Sequence, residues 1–334
     1  MQVSGETPVD SISIFLKHFN SMNKLKTNLK TLICFFLVVL SYLSKAQSKP
    51  DSLTHTMQKK ASDSTIVEGK NGELFIYKKP KPLSFITQVP RTLALSTTMT
   101  FTKQNIPALA GVAVTSVLLI SVDQHITNGV QQFGRSIHLD ADRNYGRSFG
   151  FKLGGSNVTI YDVPKNINTG IYSIGEGLAS VVLAGGLFTC GKINGDYRMI
   201  QTASQILQVQ LAVGVITQTM KHISGRESPF LATAPGGVWR PLPGFSEYQN
   251  NTARYDAFPS GHLSTMMATF TVLTLNYPEK KWIKPVGIGL ITLVGFAMIN
   301  NGVHWAGDYP LALGIGYVTA KATVKLNRWV KHNK

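Results

Sequence analysis

Residues 259–262 read Pro259-Ser260-Gly261-His262 and stand at the start of an apolar run that extends to about residue 277. Two further polar blocks also adjoin apolar runs. Residues 221–229 read KHISGRESP and follow an apolar segment, while residues 304–308 read HWAGD and precede the last one. If the apolar runs are helices that share one end, the three blocks meet at a single face. That face would carry a lysine, two histidines and an aspartate.

The distribution of apolar residues predicts the fold class. The chain has 334 residues, of which 43% are hydrophobic and 15% charged, and the polar residues concentrate in the first hundred positions and in two loops. A membrane-spanning helix needs about 20 apolar residues. We therefore predict an all-α, polytopic membrane bundle of about six helices, with a soluble loop over 123–168. The predicted helices cover 106–122, 169–189, 202–220, 262–277, 283–300 and 309–326.

The N-terminal region has the features of a secretory signal. Within residues 22–47, lysines at 24, 26 and 30 precede an apolar stretch at 31–43, and small residues at 44 and 46 suit cleavage. Met22 is an alternative start, and an uncleaved anchor is the alternative to a signal peptide. We predict a targeting segment at 1–47 and a polar, poorly ordered region from 48, with an interfacial helix over 83–102. A membrane domain, which would carry the three motif blocks, would then occupy 103–334.

The net charge of +16 predicts topology better than it predicts a nucleic-acid partner. The lysines and arginines cluster at the ends of apolar runs rather than in a basic patch interleaved with aromatic residues. The positive-inside bias makes the loops near 192–198 and 280–284 and the C-terminus cytoplasmic. We therefore predict a multi-pass protein of a bacterial inner membrane whose three motif blocks face the periplasm. The number of crossings stays open, because a cleaved signal would leave the mature N-terminus outside.

The order and spacing of the three blocks resemble the type 2 phosphatidic acid phosphatase superfamily, which includes vanadium haloperoxidases. Its pattern is K-x6-R-P, then P-S-G-H, then S-R-x5-H-x3-D, and the resemblance covers roughly 106–326. The resemblance implies a lipid phosphatase that cleaves a phosphate or diphosphate monoester and needs no cofactor or metal. Its partners would be the membrane and a lipid phosphate. It implies no nucleic acid and gives no oligomeric state.

By this resemblance, His304 is the nucleophile that attacks phosphorus and forms a phosphohistidine. Asp308 would accept the other ring N–H of His304, and His262 would be the general acid and base. Substrate phosphate would bind Lys221 and the turn that contains Ser260 and Gly261. That turn opens a helix, where free N–H groups favour anions. A helix cap without chemistry is the alternative for each block taken alone.

The chain departs from the family pattern at two arginine positions, which are occupied by Ser228 and Met298. Arg226 is the preferred substitute, as a substrate-binding residue. Loss of such preorganised donors favours an alternative function, namely a catalytically impaired relative that binds lipid phosphate or acts as a membrane scaffold. A haloperoxidase is a third alternative. Weaker substitutes for the missing guanidinium groups are Arg240, Arg254, Asn300 and Asn301.

Overall fold

The computed structural model describes residues 58–61, 63–68, 73–153 and 156–331. The predicted targeting segment, its cleavage site and the alternative start at Met22 lie outside the described residues. The long helices are α3 (Ile106–Ser136), α5 (Gly177–Asn194), α6 (Tyr197–Ser224), α8 (Gly261–Asn276), α9 (Ile283–Asn300) and α10 (Tyr309–Asn327). The shorter helices are α1 (Ser84–Thr87), α2 (Val89–Thr100), α4 (Ile167–Ile174) and α7 (Phe245–Asn250).

The class predicted from the sequence, a polytopic helical membrane bundle, is confirmed. Four helical segments in the described part of the chain are long and apolar enough to cross a membrane, namely Lys103–Ser136, Gly177–Asn194, Tyr197–Ser224 and Ile283–Asn300. α8 and α10 are not among the four, and α8 has only 16 residues. The apolar stretches of α3 and α5 have exposed apolar side chains, as expected for contact with lipid, and these include Val117, 65% exposed, and Val182, 66% exposed.

The described residues of the polar segment before α1 form strands, contrary to the expectation for 48–81. β1 (Gln58–Ala61), β2 (Ser64–Glu68) and β3 (Leu74–Lys78) form an antiparallel sheet, which β6 (Trp329–Lys331) extends. Alternate residues Val67, Phe75 and Tyr77 are buried and form a small core. Because β6 pairs with β3, the two regions divided at residue 102 in the sequence prediction share one sheet.

The predicted soluble loop at 123–168 is largely structured. α3 continues to Ser136, well past the end of its apolar run, and Asp123 is therefore a helical residue. A hairpin of β4 (Tyr145–Leu153) and β5 (Ser156–Pro164) follows. The predicted segment at 169–189 is divided between α4 and α5 at Gly175 and Glu176.

α8 packs against α6, α9 and α10, and polar residues lie at both ends of this bundle. At one end, the Arg198 side chain donates to the carbonyl oxygen of Asn276, and Arg328 donates to that of Leu275. These contacts join the start of α6 to the ends of α8 and α10. The other end therefore holds the end of α6 and the starts of α8 and α10, where the three motif blocks lie.

Candidate active site

The first motif block lies at the C-terminal end of α6. The helix ends at Ser224, and Gly225 has a φ of +56°, which residues with a side chain rarely adopt. Lys221 is 7% exposed, and its Nζ lies 3.3 Å from Oδ2 of Asp256. A β-carbon on Gly261 would lie 3.8 Å from Lys221 Nζ. The ammonium group is therefore beside the first turn of α8.

The second block forms the N-terminus of α8. Ser260 is fully buried and caps the helix, because its Oγ accepts the N–H of Leu263 over 3.4 Å. The backbone N–H of Ser260 donates to the carbonyl oxygen of Asp308 over 3.1 Å, which ties the second block to the third. The first N–H groups of a helix lack intrahelical acceptors, and the helix dipole favours an anion there. Together with Lys221, this turn can bind phosphate oxygens.

In the third block, a hydrogen bond of the His304 ring determines which of its two nitrogens can react. Nδ1 of His304 lies 2.7 Å from the carbonyl oxygen of Ala257. A carbonyl oxygen only accepts hydrogen bonds, so Nδ1 carries the proton and Nε2 of the neutral ring has a free lone pair. The predicted acceptor was Asp308, whose Oδ2 lies 3.4 Å from the same nitrogen. The structure gives the hydrogen bond to Ala257 instead, because Asp308 accepts bonds from other groups.

The environment of His304 keeps its ring neutral. His304 is 2% exposed, and burial, followed by the charge of Lys221, lowers its pKa to about 3. Burial raises the pKa of Asp308 to about 6, although the guanidinium of Arg226 opposes this shift. A neutral imidazole is the form that can attack phosphorus, so the site holds His304 in its nucleophilic form at neutral pH.

The structure brings the second predicted histidine close to the first. The ring centroids of His262 and His304 lie 6.0 Å apart with the rings nearly perpendicular. On its other side, His262 packs against the ring of Tyr172 from α4 at 4.6 Å. Gly175 allows this approach, since a β-carbon there would lie 3.2 Å from His262 Cβ. Both imidazoles therefore belong to one site.

Comparison with known proteins gives a family match for this part of the chain. Residues 203–331 match the sequence pattern of the PAP2 superfamily. A comparison with curated proteins found no match. Among solved structures, the chain is similar to one described as the crystal structure of the first transmembrane PAP2 type phosphatidylglycerolphosphate phosphatase from Bacillus subtilis.

That structure is 14% identical to this chain, with 73% of this chain and 96% of the other covered and a TM-score of 0.30. Such a score is too low to support an argument about the site. The match of residues 203–331 to the PAP2 superfamily supports phosphatase chemistry in general. The predicted site residues lie inside the matched range and are Lys221, Arg226, Ser260, Gly261, His262, His304 and Asp308.

Arg226 has a different position in the structure from the one predicted. Its side chain is fully buried, where Nη1 donates to Asp308 Oδ1 over 2.6 Å and Nη2 donates to Asp123 Oδ2 over 2.7 Å. Nη2 also donates to the carbonyl oxygen of Gly236 over 2.9 Å. Since both terminal nitrogens are engaged, Arg226 is a structural link between two carboxylates. The expectation that it swings inward to bind substrate is corrected accordingly.

Asp123 was missed from the sequence because it lies on α3, outside the three motif blocks and the matched range. Its carboxylate is fully buried, and its Oδ1 accepts the N–H of Gly307 over 2.8 Å. A β-carbon on Gly307 would lie 2.7 Å from Asp123 Oδ2, so only glycine permits this approach. The signal in the sequence was a carboxylate at the end of an apolar segment, which is a functional or structural candidate by default.

Buried side chains occupy the two positions at which the PAP2 pattern has arginine and this chain does not. Met298 is fully buried, and its sulfur lies 3.9 Å from Ser260 Oγ. Ser228 is 2% exposed, and its N–H donates to the carbonyl oxygen of Ala253. Of the weaker substitutes, Arg240 pairs with Glu227 at 3.3 Å. Arg254 is exposed, the Asn300 amide donates to Asn168, and Asn301 is 5% exposed.

Within the described residues, no three His, Cys, Asp or Glu side chains cluster in a way that would hold a metal ion.

Proposed function

We propose that the chain is a membrane phosphatase that hydrolyses a phosphate or diphosphate monoester of a lipid through a phosphohistidine on His304. The observation that carries this proposal is the hydrogen bond between His304 Nδ1 and the carbonyl oxygen of Ala257, which leaves Nε2 as the nucleophilic nitrogen. The neighbouring ring of His262, 6.0 Å away, supplies a second imidazole for proton transfer.

The proposed reaction has two steps. In the first, Nε2 of His304 bonds to phosphorus while the ester P–O bond breaks, and His262 donates a proton to the leaving oxygen. In the second, His262 takes a proton from water, whose oxygen attacks phosphorus, and the N–P bond breaks to release orthophosphate. The ammonium of Lys221 and the N–H groups of the first turn of α8 stabilise the charge on the phosphoryl oxygens.

The distribution of charge supports a periplasmic site in a bacterial inner membrane. Lys192 and Arg198 flank the turn between α5 and α6, and further lysines and arginines lie in the loop between α8 and α9 and at the end of α10. These segments lie at the opposite end of the bundle from the motif blocks. Positive charge favours the cytoplasmic side, so the proposed site faces outward.

A second candidate function is binding of lipid phosphate without turnover. It is favoured by Met298 and Ser228, which replace two guanidinium donors, and by Arg226, whose terminal nitrogens are engaged with Asp123 and Asp308. Loss of one preorganised donor commonly costs about 3–4 kcal/mol of transition-state stabilisation. Retention of both histidines and of Lys221 favours the phosphatase.

Phosphate release from a panel of short-chain lipid phosphates tests the proposal. The panel contains phosphatidate, phosphatidylglycerophosphate and a polyprenyl diphosphate, each presented to detergent-purified protein. We expect release from at least one lipid, and loss of that release in His304→Gln. His125→Gln, on α3, serves as the matched control. Lipid binding without release by the wild type would support the second function, and release that persists in His304→Gln would refute the phosphohistidine.

A further inference from the structure

A pocket of about 490 Å³ lies where the segment after α3 meets two loops of the site. It is lined by Ala141, Asp142, Arg143, Asn144, Phe230 and Asn301. The first four belong to the segment between α3 and β4. Phe230 and Asn301 belong to the loops after the first block and before the third, and these loops are joined where Phe230 N–H donates to the carbonyl oxygen of Gly302 over 2.9 Å.

The place of this pocket in the sequence connects it with the missing arginines. Phe230 follows Ser228 by two residues, and Asn301 follows Met298 by three and precedes His304 by three. Ser228 and Met298 occupy the two positions where the family pattern has arginine. The pocket therefore lies beside the two loops from which a phosphate-binding guanidinium is absent.

Arg143 supplies a guanidinium in this pocket. Its guanidinium carbon lies 4.0 Å from the centroid of the Phe230 ring, a cation–π contact that holds the charged group at the pocket. Among the described residues, no carboxylate lies within ion-pair distance of Arg143. Its charge also acts on the hydroxyl of Tyr172, whose ring packs against His262 at 4.6 Å.

Two other arginines near the site are already engaged with carboxylates. Arg226 is buried between two carboxylates, and Arg240 pairs with Glu227. Arg143 is exposed and is the one cation among the residues that line the pocket. A guanidinium binds phosphate through two parallel hydrogen bonds, so a single well-placed arginine can replace part of what the pattern lost.

We propose that Arg143 is a substrate-binding residue whose guanidinium binds the phosphate group of the lipid, in place of the arginines absent at Ser228 and Met298. This inference rests on the proposed function. The guanidinium reaches the pocket from the segment between α3 and β4, outside the range that matches the PAP2 superfamily.

The test compares variants of the full chain in detergent with two probes, dioctanoyl phosphatidate as substrate and orthophosphate as inhibitor. A bidentate, charge-assisted contact predicts that Arg143→Gln raises both the KM for phosphatidate and the inhibition constant of orthophosphate by roughly 10- to 100-fold. Arg143→Lys should recover part of this loss, since it restores the charge without the planar fork. Arg135→Gln, an exposed arginine at the end of α3, is the matched control.

A change of less than twofold in both constants would overturn the proposal, provided that Arg143→Gln melts at the wild-type temperature. An increase confined to phosphatidate would also overturn it, because Arg143 would then contact another part of the lipid rather than its phosphate. Asp142→Asn removes a negative charge from the same pocket and should lower both constants.

Failure of the proposed function gives a different result. If the wild type releases no phosphate from any lipid, equilibrium binding of radiolabelled dioctanoyl phosphatidate replaces turnover. Binding by the wild type that weakens in Arg143→Gln would support the role of Arg143 and reject the phosphatase. Binding that is equal in both proteins, or absent in the wild type, would reject the role of Arg143.

Discussion

The link between α3 and the site through Asp123 predicts a large loss of stability in Asp123→Asn. The Asp123 carboxylate accepts one hydrogen bond from Arg226 Nη2 over 2.7 Å and one from the Gly307 N–H over 2.8 Å. The side chains of Asp123, Arg226 and Asp308 are all fully buried. In Asp123→Asn, the charge of Arg226 is paired only with the Asp308 carboxylate. The amide nitrogen, itself a donor, then faces either Arg226 Nη2 or the Gly307 N–H, and that donor loses its acceptor.

Removal of one partner from a buried ion pair typically costs about 3–5 kcal/mol. For a domain of roughly 200 residues, each kcal/mol lowers the melting temperature by about 2–4 °C, so we expect a decrease of roughly 10 °C. We also expect phosphate release to fall, because Arg226 holds Asp308 and Asp308 Oδ2 lies 3.4 Å from His304 Nδ1.

Thermal unfolding in detergent, followed by intrinsic fluorescence, measures this effect. Asp140→Asn is the matched control, since Asp140 is an exposed carboxylate whose bonds lie on the surface. Its loss should cost about 1 kcal/mol or less. If Asp123→Asn melts within 2 °C of Asp140→Asn, the buried link does not stabilise the fold and the reasoning is wrong.

Three further predictions concern the same region. Gly307→Ala should lower stability and phosphate release in the same assays, because its β-carbon would lie 2.7 Å from Asp123 Oδ2; unchanged melting would contradict this. Met298→Arg should unfold the protein rather than restore a phosphate site, since Met298 is fully buried, whereas Met298→Leu should cost less than about 1.5 kcal/mol. The His304 ring has a pKa of about 3 in the fold and about 6.5 when unfolded, so protonation favours the unfolded chain. Relative to His304→Gln, the wild type should therefore lose stability as pH falls from 6.5 towards 3, and a difference independent of pH would contradict the burial of a neutral ring.

The sequence predicted the helices with long apolar runs and the end of the bundle that carries the motifs. The helix predicted over 283–300 has those bounds in the structure, because its apolar run is continuous and polar residues flank it. α3 is longer than predicted. Residues 123–136 are mainly polar, and hydropathy alone does not distinguish a polar helix from a loop. The signal for β3 was the short apolar run at 74–77, which contains the buried Phe75 and Tyr77 but is too short for its periodicity to identify a strand.

The partners of the site residues could not be predicted, because they depend on contacts between distant segments. Spacing placed Asp308 four residues after His304 and suggested a direct hydrogen bond. The fold instead gives that bond to the Ala257 carbonyl and directs Asp308 to Arg226. Likewise, nothing near Arg226 in the chain indicates Asp123, 103 residues earlier.

Trapping of the covalent intermediate tests the central claim most directly. Detergent-purified protein is mixed with a lipid carrying a radiolabelled phosphate, quenched in alkali and digested, since phosphohistidine survives alkali and is lost in acid. The account predicts label on the peptide that contains His304, none in His304→Gln, and accumulation of label in His262→Gln as hydrolysis slows. Release of phosphate by the wild type without label on His304, or with label on another residue, would contradict it.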